Sequence, residues 1–233
     1  MIQVKALLSG QPTSDISALA GRLRSAADAA DGGKLVVRGL VVSTVLKYLT
    51  GPNDVRALLQ VWADGPADGS ADGGEVLDLV LPGEAWSDGP VDAWVIREHV
   101  YRQPVEREAL GASPDGVKLA GTAYRRDDFT LEAFFDYWQN VHARISGKVP
   151  GLGGYVVSEV RERVRGDLEA DALLELWWPD ERTYEASAST PEQAAAWEDL
   201  PKYAKPTGTF WLLRESVLIP PPPTGPGTLE AAG

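Results

Sequence analysis

ALLQVW at residues 57–62 returns as ALLELW at residues 172–177, 115 positions further along the chain. Three more segments recur in the same order at offsets of 113 to 117 residues: VKALLSG at 4–10 as VKLAGTA at 117–123, GLVVS at 39–43 as GYVVS at 154–158, and WVIREHV at 94–100 as WLLRESV at 211–217. Four ordered matches at a nearly constant offset indicate a small domain that is duplicated within the chain. The period excludes solenoid repeats, whose units have about 20–50 residues.

The second copy has the clearer secondary-structure pattern. Apolar spacing predicts a helix at 129–147, which Thr130 or Asp128 caps and which Gly147 and Pro150 end. Its apolar stripe consists of Leu131, Phe134, Phe135, Trp138, Val141, His142 and Ile145. A second helix is predicted at 190–202, and strands are predicted at 117–124, 155–163, 172–178 and 209–219.

The first copy repeats this order with a weaker helical signal. Its strands are predicted near 2–8, 35–47, 55–63 and 92–103, with a helix at 14–30. The stretch GPADGSADGG at 65–74 is rich in Gly and Asp, which disfavour helices. We therefore expect the second helix of this copy to be shortened or irregular.

The order strand, helix, strand, strand, helix, strand is that of a ferredoxin-like unit, so the predicted fold class is α+β. Two such antiparallel sheets can close face to face into a barrel with helices outside, and here one chain supplies both halves. We therefore predict a monomer that forms an intramolecular pseudo-dimer. The predicted segments are a degenerate repeat at 1–105, a linker at 106–115, a second repeat at 116–219 and a flexible Pro/Gly-rich tail at 220–233, with nothing to pack against.

The charge balance excludes several classes of partner. The chain has 34 acidic and 22 basic side chains and a formal charge of -12. Phosphate backbones and anionic membranes attract Lys and Arg, so neither a nucleic acid nor a membrane is expected as a partner. There is no apolar run near the roughly 20 residues of a membrane span, and no signal-peptide pattern, so a cytoplasmic location is expected. Cysteine is absent, which excludes disulfides and thiolate chemistry.

Two stretches of the second copy carry a family resemblance. Residues 129–160 contain Phe134-x-x-Tyr137-Trp138-x-x-x-His142 followed by Pro-Gly-Leu, and residues 172–217 contain a Glu-x-Trp strand end, a Ser-x-Pro-Glu helix start, Asp199-Leu200 and Tyr203. This half resembles the EthD family of the dimeric α+β barrel superfamily. The resemblance implies a small, mostly cofactor-free protein of aromatic, ether or polyketide metabolism. The first copy lacks the Tyr-Trp-His helix, so any such activity is expected in the second half alone.

His142 is the predicted catalytic residue. It follows Trp138 by four residues on the apolar stripe, which directs its imidazole between helix and sheet. Histidine can accept or donate a proton near neutral pH, so we expect a general acid/base. The alternative is a buried histidine bonded to a backbone carbonyl. His99, in the last strand of the first copy, is expected to be structural. If the two last strands meet across the barrel, it would lie near their contact rather than near His142.

Aromatic residues of the second copy supply the predicted substrate contacts. Tyr137, Tyr155 and Tyr203 are candidates to hydrogen-bond a substrate carbonyl or phenol, and Trp138 and Trp177 are predicted apolar walls. A hydrophobic aromatic small molecule is thus the expected partner. Arg125 and Arg126 are expected to be exposed rather than to bind a carboxylate.

No cofactor is expected. The sequence has no Gly-x-Gly-x-x-Gly or Walker pattern, and two separated histidines do not match the spacing of a metal site. The leading hypothesis is a cofactor-independent lyase, cyclase or isomerase that acts on an aromatic or polyketide-like molecule by proton transfer at His142. The alternatives are a non-catalytic binding protein for a hydrophobic metabolite and a haem-dependent monooxygenase, since one histidine suffices as an axial ligand.

Overall fold

The structure is a computed structural model and describes residues 1–10, 21, 25, 35–51, 54–65, 71–81, 89–104, 116–223 and 229. The predicted linker at 106–115 lies outside the described residues, as does the helix predicted at 14–30 apart from Gly21 and Ser25.

Eight antiparallel strands form a closed barrel. They are β1 (Ile2–Ser9), β2 (Val36–Thr50), β3 (Val55–Asp64), β4 (Val91–Arg102), β5 (Val117–Ala123), β6 (Gly154–Arg165), β7 (Ala172–Trp178) and β8 (Phe210–Ile219). Their order around the barrel is β1-β3-β2-β8-β5-β7-β6-β4. The predicted α+β class and the closed antiparallel barrel are confirmed, and every predicted strand is present within three residues of its predicted ends.

The two halves of the barrel have the same strand order. The first half runs β4-β1-β3-β2 and the second half runs β8-β5-β7-β6. The halves are joined where β2 pairs with β8 and β4 pairs with β6. The last strands of the two halves, β4 and β8, therefore do not meet, so the condition for placing His99 at their contact is not fulfilled. In the structure His99 lies opposite Val157 of β6.

The described helices are α1 (Gly73–Val80), α2 (Leu131–Tyr137), a π-helical turn (Trp138–His142), α3 (Ala143–Ser146), α4 (Glu181–Ala188), α5 (Pro191–Asp199) and a 3₁₀ turn (Leu200–Lys202). The weak second helix of the first half is the short α1, which begins at an Asp72–Glu75 capping box. Thr130 caps α2, as predicted, by accepting the N–H of Ala133 at 3.1 Å. The sequence did not predict α4.

The outer face of the barrel is apolar in both halves. Where α1 packs on it, the strands and the helix together form an aliphatic cluster that consists of Val4, Ala6, Leu8, Leu40, Val42, Ala57, Leu59, Val61, Ala63, Val76, Leu77, Val80, Leu81 and Ala93. Under the helices of the second half the cluster is rich in aromatic residues, among them Tyr101, Phe134, Phe135, Trp138, Tyr155, Trp178, Tyr203 and Phe210. These clusters hold the helices on the sheet because burial removes their apolar surface from water.

The interior of the barrel contains charged side chains. Lys118 donates to Gln60, Glu175 and Glu215 at 2.9, 2.7 and 2.9 Å, and none of its surface is exposed. Lys5 pairs with Glu175 and also donates to Ser158 at 2.7 Å. Because Lys5 and Gln60 belong to the first half while Lys118 and Glu175 belong to the second, this ion cluster links the two halves across the barrel.

Residues of the C-terminal tail pack on the barrel, and a Cβ on Gly39 of β2 would come within 2.7 Å of Pro221. The N–H of Leu229 donates to the carbonyl of Tyr101 at 2.9 Å, and its side chain packs against the aromatic-rich cluster near Gly147. The expectation that the tail has nothing to pack against is therefore wrong at these residues.

Candidate functional site

A π-helical turn shapes the helix that carries the predicted histidine. The N–H of Ala143 donates to the carbonyl of Trp138, five residues back. Such turns are rare in proteins overall, but those that occur are often found at functional sites. The predicted apolar stripe does not hold beyond the turn, because Val141 is 38% exposed while His142, Ala143 and Ser146 are buried.

His142 is oriented by a carboxylate from another helix. Its Nδ1 lies 2.9 Å from Oδ2 of Asp199, the last residue of α5. Oδ1 of Asp199 accepts the hydroxyl of Tyr137 and the ammonium of Lys202, each at 3.0 Å. The other ring nitrogen of His142, Nε2, lies 2.9 Å from Oγ of Ser146. Both ring nitrogens therefore have partners, and neither partner is the backbone carbonyl of the alternative interpretation.

The environment makes His142 neutral and Asp199 charged. Burial lowers the pKa of His142 below its ordinary 6.5, and the hydrogen bond and charge of Asp199 oppose this shift. Burial alone would raise the pKa of Asp199, but hydrogen bonds from His142, Lys202 and Tyr137 hold that pKa below 3.8. At neutral pH the pair is thus an imidazole that donates to a carboxylate.

A cavity opens beside His142 between the helices and the outer face of the sheet. Its empty volume is about 510 Å³, including the part open to solvent. Three residues of the π turn, α3 and β6 supply polar atoms close together, namely His142, Ser146 and Tyr155. The remaining lining residues, apolar apart from Gln193 and the indoles, are Leu119, Trp138, Val149, Leu152, Leu174, Leu176, Trp178, Gln193, Ala196, Trp197, Leu200 and Phe210. A mostly apolar cleft with few polar groups is typical of small-molecule sites.

Two of the predicted substrate contacts line this cavity. They are Trp138 and Tyr155, and the indole Nε1 of Trp138 donates to the hydroxyl of Tyr155 at 2.6 Å. Burial raises the pKa of Tyr155 far above 10, so this hydroxyl keeps its proton. Tyr155 is therefore positioned as a hydrogen-bond donor.

Tyr137 and Tyr203 lie behind the histidine rather than on the cavity wall. Tyr203 is fully buried, with its ring 5.0 Å from the His142 ring and 5.1 Å from the Tyr137 ring. Its hydroxyl has no hydrogen-bond partner among the described residues. The two rings restrict how His142 can rotate, and neither lines the cavity. Their predicted contact with a substrate remains a prediction, and their positions do not support it.

Trp177 faces the barrel interior, where its indole donates to Glu215 at 3.3 Å and Lys118 lies over its ring. Successive side chains of a strand point to opposite faces, so the neighbouring Trp178 lines the cavity instead. The prediction of Trp177 as a cavity wall therefore does not match its position on β7.

The other predicted residues lie away from the cavity. The ring of His99 stacks on Phe135 at 5.3 Å, and its Nε2 lies 3.2 Å from Glu159. Arg125 pairs with Asp171 and Arg126 pairs with Asp128, and both arginine side chains are about 40% exposed, in line with the expected exposure.

Haem does not fit the histidine at this site. Oγ of Ser146 occupies the position beside Nε2 where an iron would bind, and Nδ1 is held by Asp199. In the ranges that the structure describes, no three side chains of His, Asp or Glu are grouped to hold a metal ion. Nor is any helix in those ranges long and apolar enough to cross a membrane.

Comparison with known structures identifies the fold. The chain is similar to an anthrone oxidase-like protein, at 14% identity over 93% of both chains with a TM-score of 0.56. It is also similar to a candidate monooxygenase from Fusobacterium nucleatum, at 9% identity over 93% of this chain and 91% of that one, with a TM-score of 0.55. At such identities these likenesses show the fold alone, which is that of the dimeric α+β barrel proteins.

The second half matches a particular family. The model of the EthD domain matches residues 126–207, which confirms the predicted resemblance. An EthD family protein from Bacillus halodurans is 25% identical over 42% of this chain and 95% of its own, with a TM-score of 0.37. No curated protein matches the chain significantly.

Two polar residues of the site were not predicted. Asp199 belonged to the stretches that carry the resemblance, but its position at the end of α5 gave no sign that it would meet His142. Ser146 follows His142 by four residues, a spacing that places both on one helical face. That spacing was the available signal, and the predicted stripe through Val141 and Ile145 obscured it.

Proposed function

We propose that this protein is a cofactor-independent lyase, cyclase or isomerase for a small aromatic or polyketide-like molecule. The molecule would bind in the cavity of the second half, and His142 would act as general acid/base. One observation carries the proposal: a neutral imidazole, held by a buried carboxylate, stands at the edge of an apolar cavity walled by aromatic side chains.

The arrangement suits proton transfer at a carbon next to a carbonyl group. A neutral imidazole can accept the proton, and Asp199 stabilises the imidazolium that results. The hydroxyl of Tyr155 would donate to the oxyanion of the enolate, and the indole of Trp138 makes that hydroxyl a better donor. The apolar walls strengthen both interactions because they exclude water.

The test uses 2-tetralone, a bicyclic aromatic ketone with an acidic carbon. Exchange of its C1 hydrogens in D₂O is followed by NMR with wild type and with His142→Gln, after tryptophan fluorescence has established that both bind the ketone. We expect exchange well above the buffer rate in wild type and a loss of about 100-fold or more in the variant. Binding without accelerated exchange, or equal exchange by the variant, would contradict the proposal.

A second candidate is a non-catalytic binding protein for a hydrophobic metabolite. Both ring nitrogens of His142 are already paired within the protein, and this arrangement would also serve a purely structural histidine. On this alternative, 2-tetralone binds equally to wild type and His142→Gln, and neither accelerates exchange.

We further propose that the barrel is a tandem fusion of two ferredoxin-like repeats, with a degenerate repeat at 1–105 and an EthD-like repeat at 116–219. The equal strand order of the halves and the ion cluster that joins them support this. Such a chain is its own pseudo-dimer and needs no second copy. Light scattering should give a mass near 25.0 kDa, and a stable dimer would contradict the proposal.

A further inference from the structure

Hydrogen-bond chemistry fixes the proton positions at His142. A carboxylate only accepts hydrogen bonds, so Nδ1 of His142 must carry the proton that it shares with Asp199. In the neutral imidazole Nε2 is then the acceptor. Oγ of Ser146, 2.9 Å away, must therefore donate its proton to Nε2. Ser146, His142 and Asp199 thus form a continuous donor–acceptor chain.

Ser146 lies beside the histidine base on the wall of the cavity. Both residues line the cavity and both are buried, at 5% and 7% exposure. Because the serine hydroxyl donates to the lone pair of Nε2, this nitrogen can accept a substrate proton directly only if that hydrogen bond breaks, whereas the hydroxyl can pass its own proton to Nε2 as it accepts another. Oγ of Ser146 also lies within hydrogen-bond reach of the hydroxyl of Tyr155. The oxygen of Ser146 thus lies among the polar atoms of the cavity.

The surroundings of Ser146 do not favour a nucleophilic role. Acyl transfer by serine needs preorganised donors for the oxyanion, which are often backbone N–H groups next to the nucleophile. Here the three following N–H groups are all used within the chain. Those of Gly147, Lys148 and Val149 donate to the carbonyls of Ala143, Ile145 and Ser146 at 2.8, 3.1 and 3.0 Å.

We infer that Ser146 is a catalytic residue that relays the proton between substrate and His142. This inference rests on the proposed function. As the substrate C–H bond breaks, its electron pair enters the enolate and its proton bonds to Oγ of Ser146. The original hydroxyl proton passes to Nε2, which leaves an imidazolium beside Asp199. The reverse sequence returns a proton to the substrate.

The test compares 2-tetralone exchange by wild type, Ser146→Ala, Ser146→Thr and His142→Gln at near-neutral pH. We expect Ser146→Ala to lose about 100-fold in rate, whereas Ser146→Thr, which keeps the hydroxyl, restores most of it. If Ser146→Thr regains the exchange rate, the hydroxyl group itself is needed, which distinguishes a proton relay by Ser146 from a role in packing. Thermal unfolding and ketone binding verify that each variant is folded.

Two outcomes have different meanings. If Ser146→Ala exchanges as fast as wild type or faster while His142→Gln is inactive, His142 takes the proton directly and the relay is wrong. If His142→Gln keeps the wild-type rate, the proposed function itself fails. Nitrogen NMR of His142 gives a readout without turnover: Ser146→Ala should shift Nε2 and leave the Nδ1 proton in place, and an unmoved Nε2 would also overturn the relay.

Discussion

The two halves of the barrel have the same strand order, but different side chains lie between the helices and the outer face of the sheet in each half. In the first half α1 lies close on the sheet, and a Cβ on Gly73 would come within 2.3 Å of Val95. The cluster beneath it is aliphatic. In the second half large aromatic residues lie between the helices and the sheet, and a cavity lined in part by His142 opens beside them. Among the described residues, aliphatic side chains pack α1 closely on the sheet, whereas the large rings of the second half border a cavity.

The largest expected effect comes from uncoupling the histidine from its carboxylate. In Asp199→Asn the neutral amide does not stabilise the imidazolium, and its N–H can donate to Nδ1 and hold His142 in the wrong tautomer. We therefore expect 2-tetralone exchange to fall by about 10²–10⁴-fold. The control is Lys202→Ala, which removes an exposed partner of the same carboxylate and should change the rate little. Equal losses in both variants would show that charge in general, not the orientation of His142, supports the reaction.

The ion cluster inside the barrel tests what joins the halves. Lys118→Met would remove the buried ammonium that Glu175 and Glu215 share, while Lys5 stays paired with Glu175, and we expect a loss of about 3–5 kcal/mol in the free energy of unfolding. The matched surface change is Arg38→Ala, whose pair with Asp64 is about half exposed on both sides, with an expected loss of at most about 1 kcal/mol. Denaturant unfolding measures both. A similar small loss in the two variants would show that the buried ion cluster does not stabilise the contact between the halves.

Paired leucine truncations sharpen the contrast between the outer faces. Leu77→Ala on the buried face of α1 and Leu174→Ala beside the cavity should each cost about 2–5 kcal/mol of stability. Only Leu174→Ala should alter the affinity for 2-tetralone, because Leu174 lines the cavity. Fluorescence titration of the folded variants checks this. Altered affinity in Leu77→Ala would place a site on the first half.

A smaller effect is expected on the pH dependence of stability. Because the pKa of His142 is lowered in the folded state, the unfolded chain binds the proton first as the pH falls through about 6.5. The free energy of unfolding of wild type should therefore fall with pH below about 6.5, by up to about 1.4 kcal/mol per pH unit. His142→Gln should lack this component between about pH 7.5 and 5, above the range where Asp199 titrates. Parallel curves for the two proteins would contradict the lowered pKa.

The barrel was predictable because its strands carry the repeat and a clear apolar pattern. In contrast, α4 was missed because ERTYEASA buries only Ser187 and so has no apolar stripe. The capping of α4 by Asp180, which accepts the N–H of Thr183 at 2.6 Å, was the remaining signal.

The site was only partly predictable from the sequence. His142, Trp138 and Tyr155 were identified, but the choice between Trp177 and Trp178 depends on which face of β7 is outside, which alternation alone does not decide. The contact between His142 and Asp199 joins residues 57 positions apart and arises only when α5 packs against α3. Ser146 was hidden because a π turn, which the sequence does not signal, changes which residues of the helix are buried.

A crystal structure of the protein with bound 2-tetralone would test most directly whether the chemistry is confined to the second half. The account predicts the ketone in the cavity, with its acidic carbon next to Oγ of Ser146 and its carbonyl oxygen near the hydroxyl of Tyr155. Binding on the outer face of the first half or inside the barrel, with the cavity beside His142 empty, would contradict it.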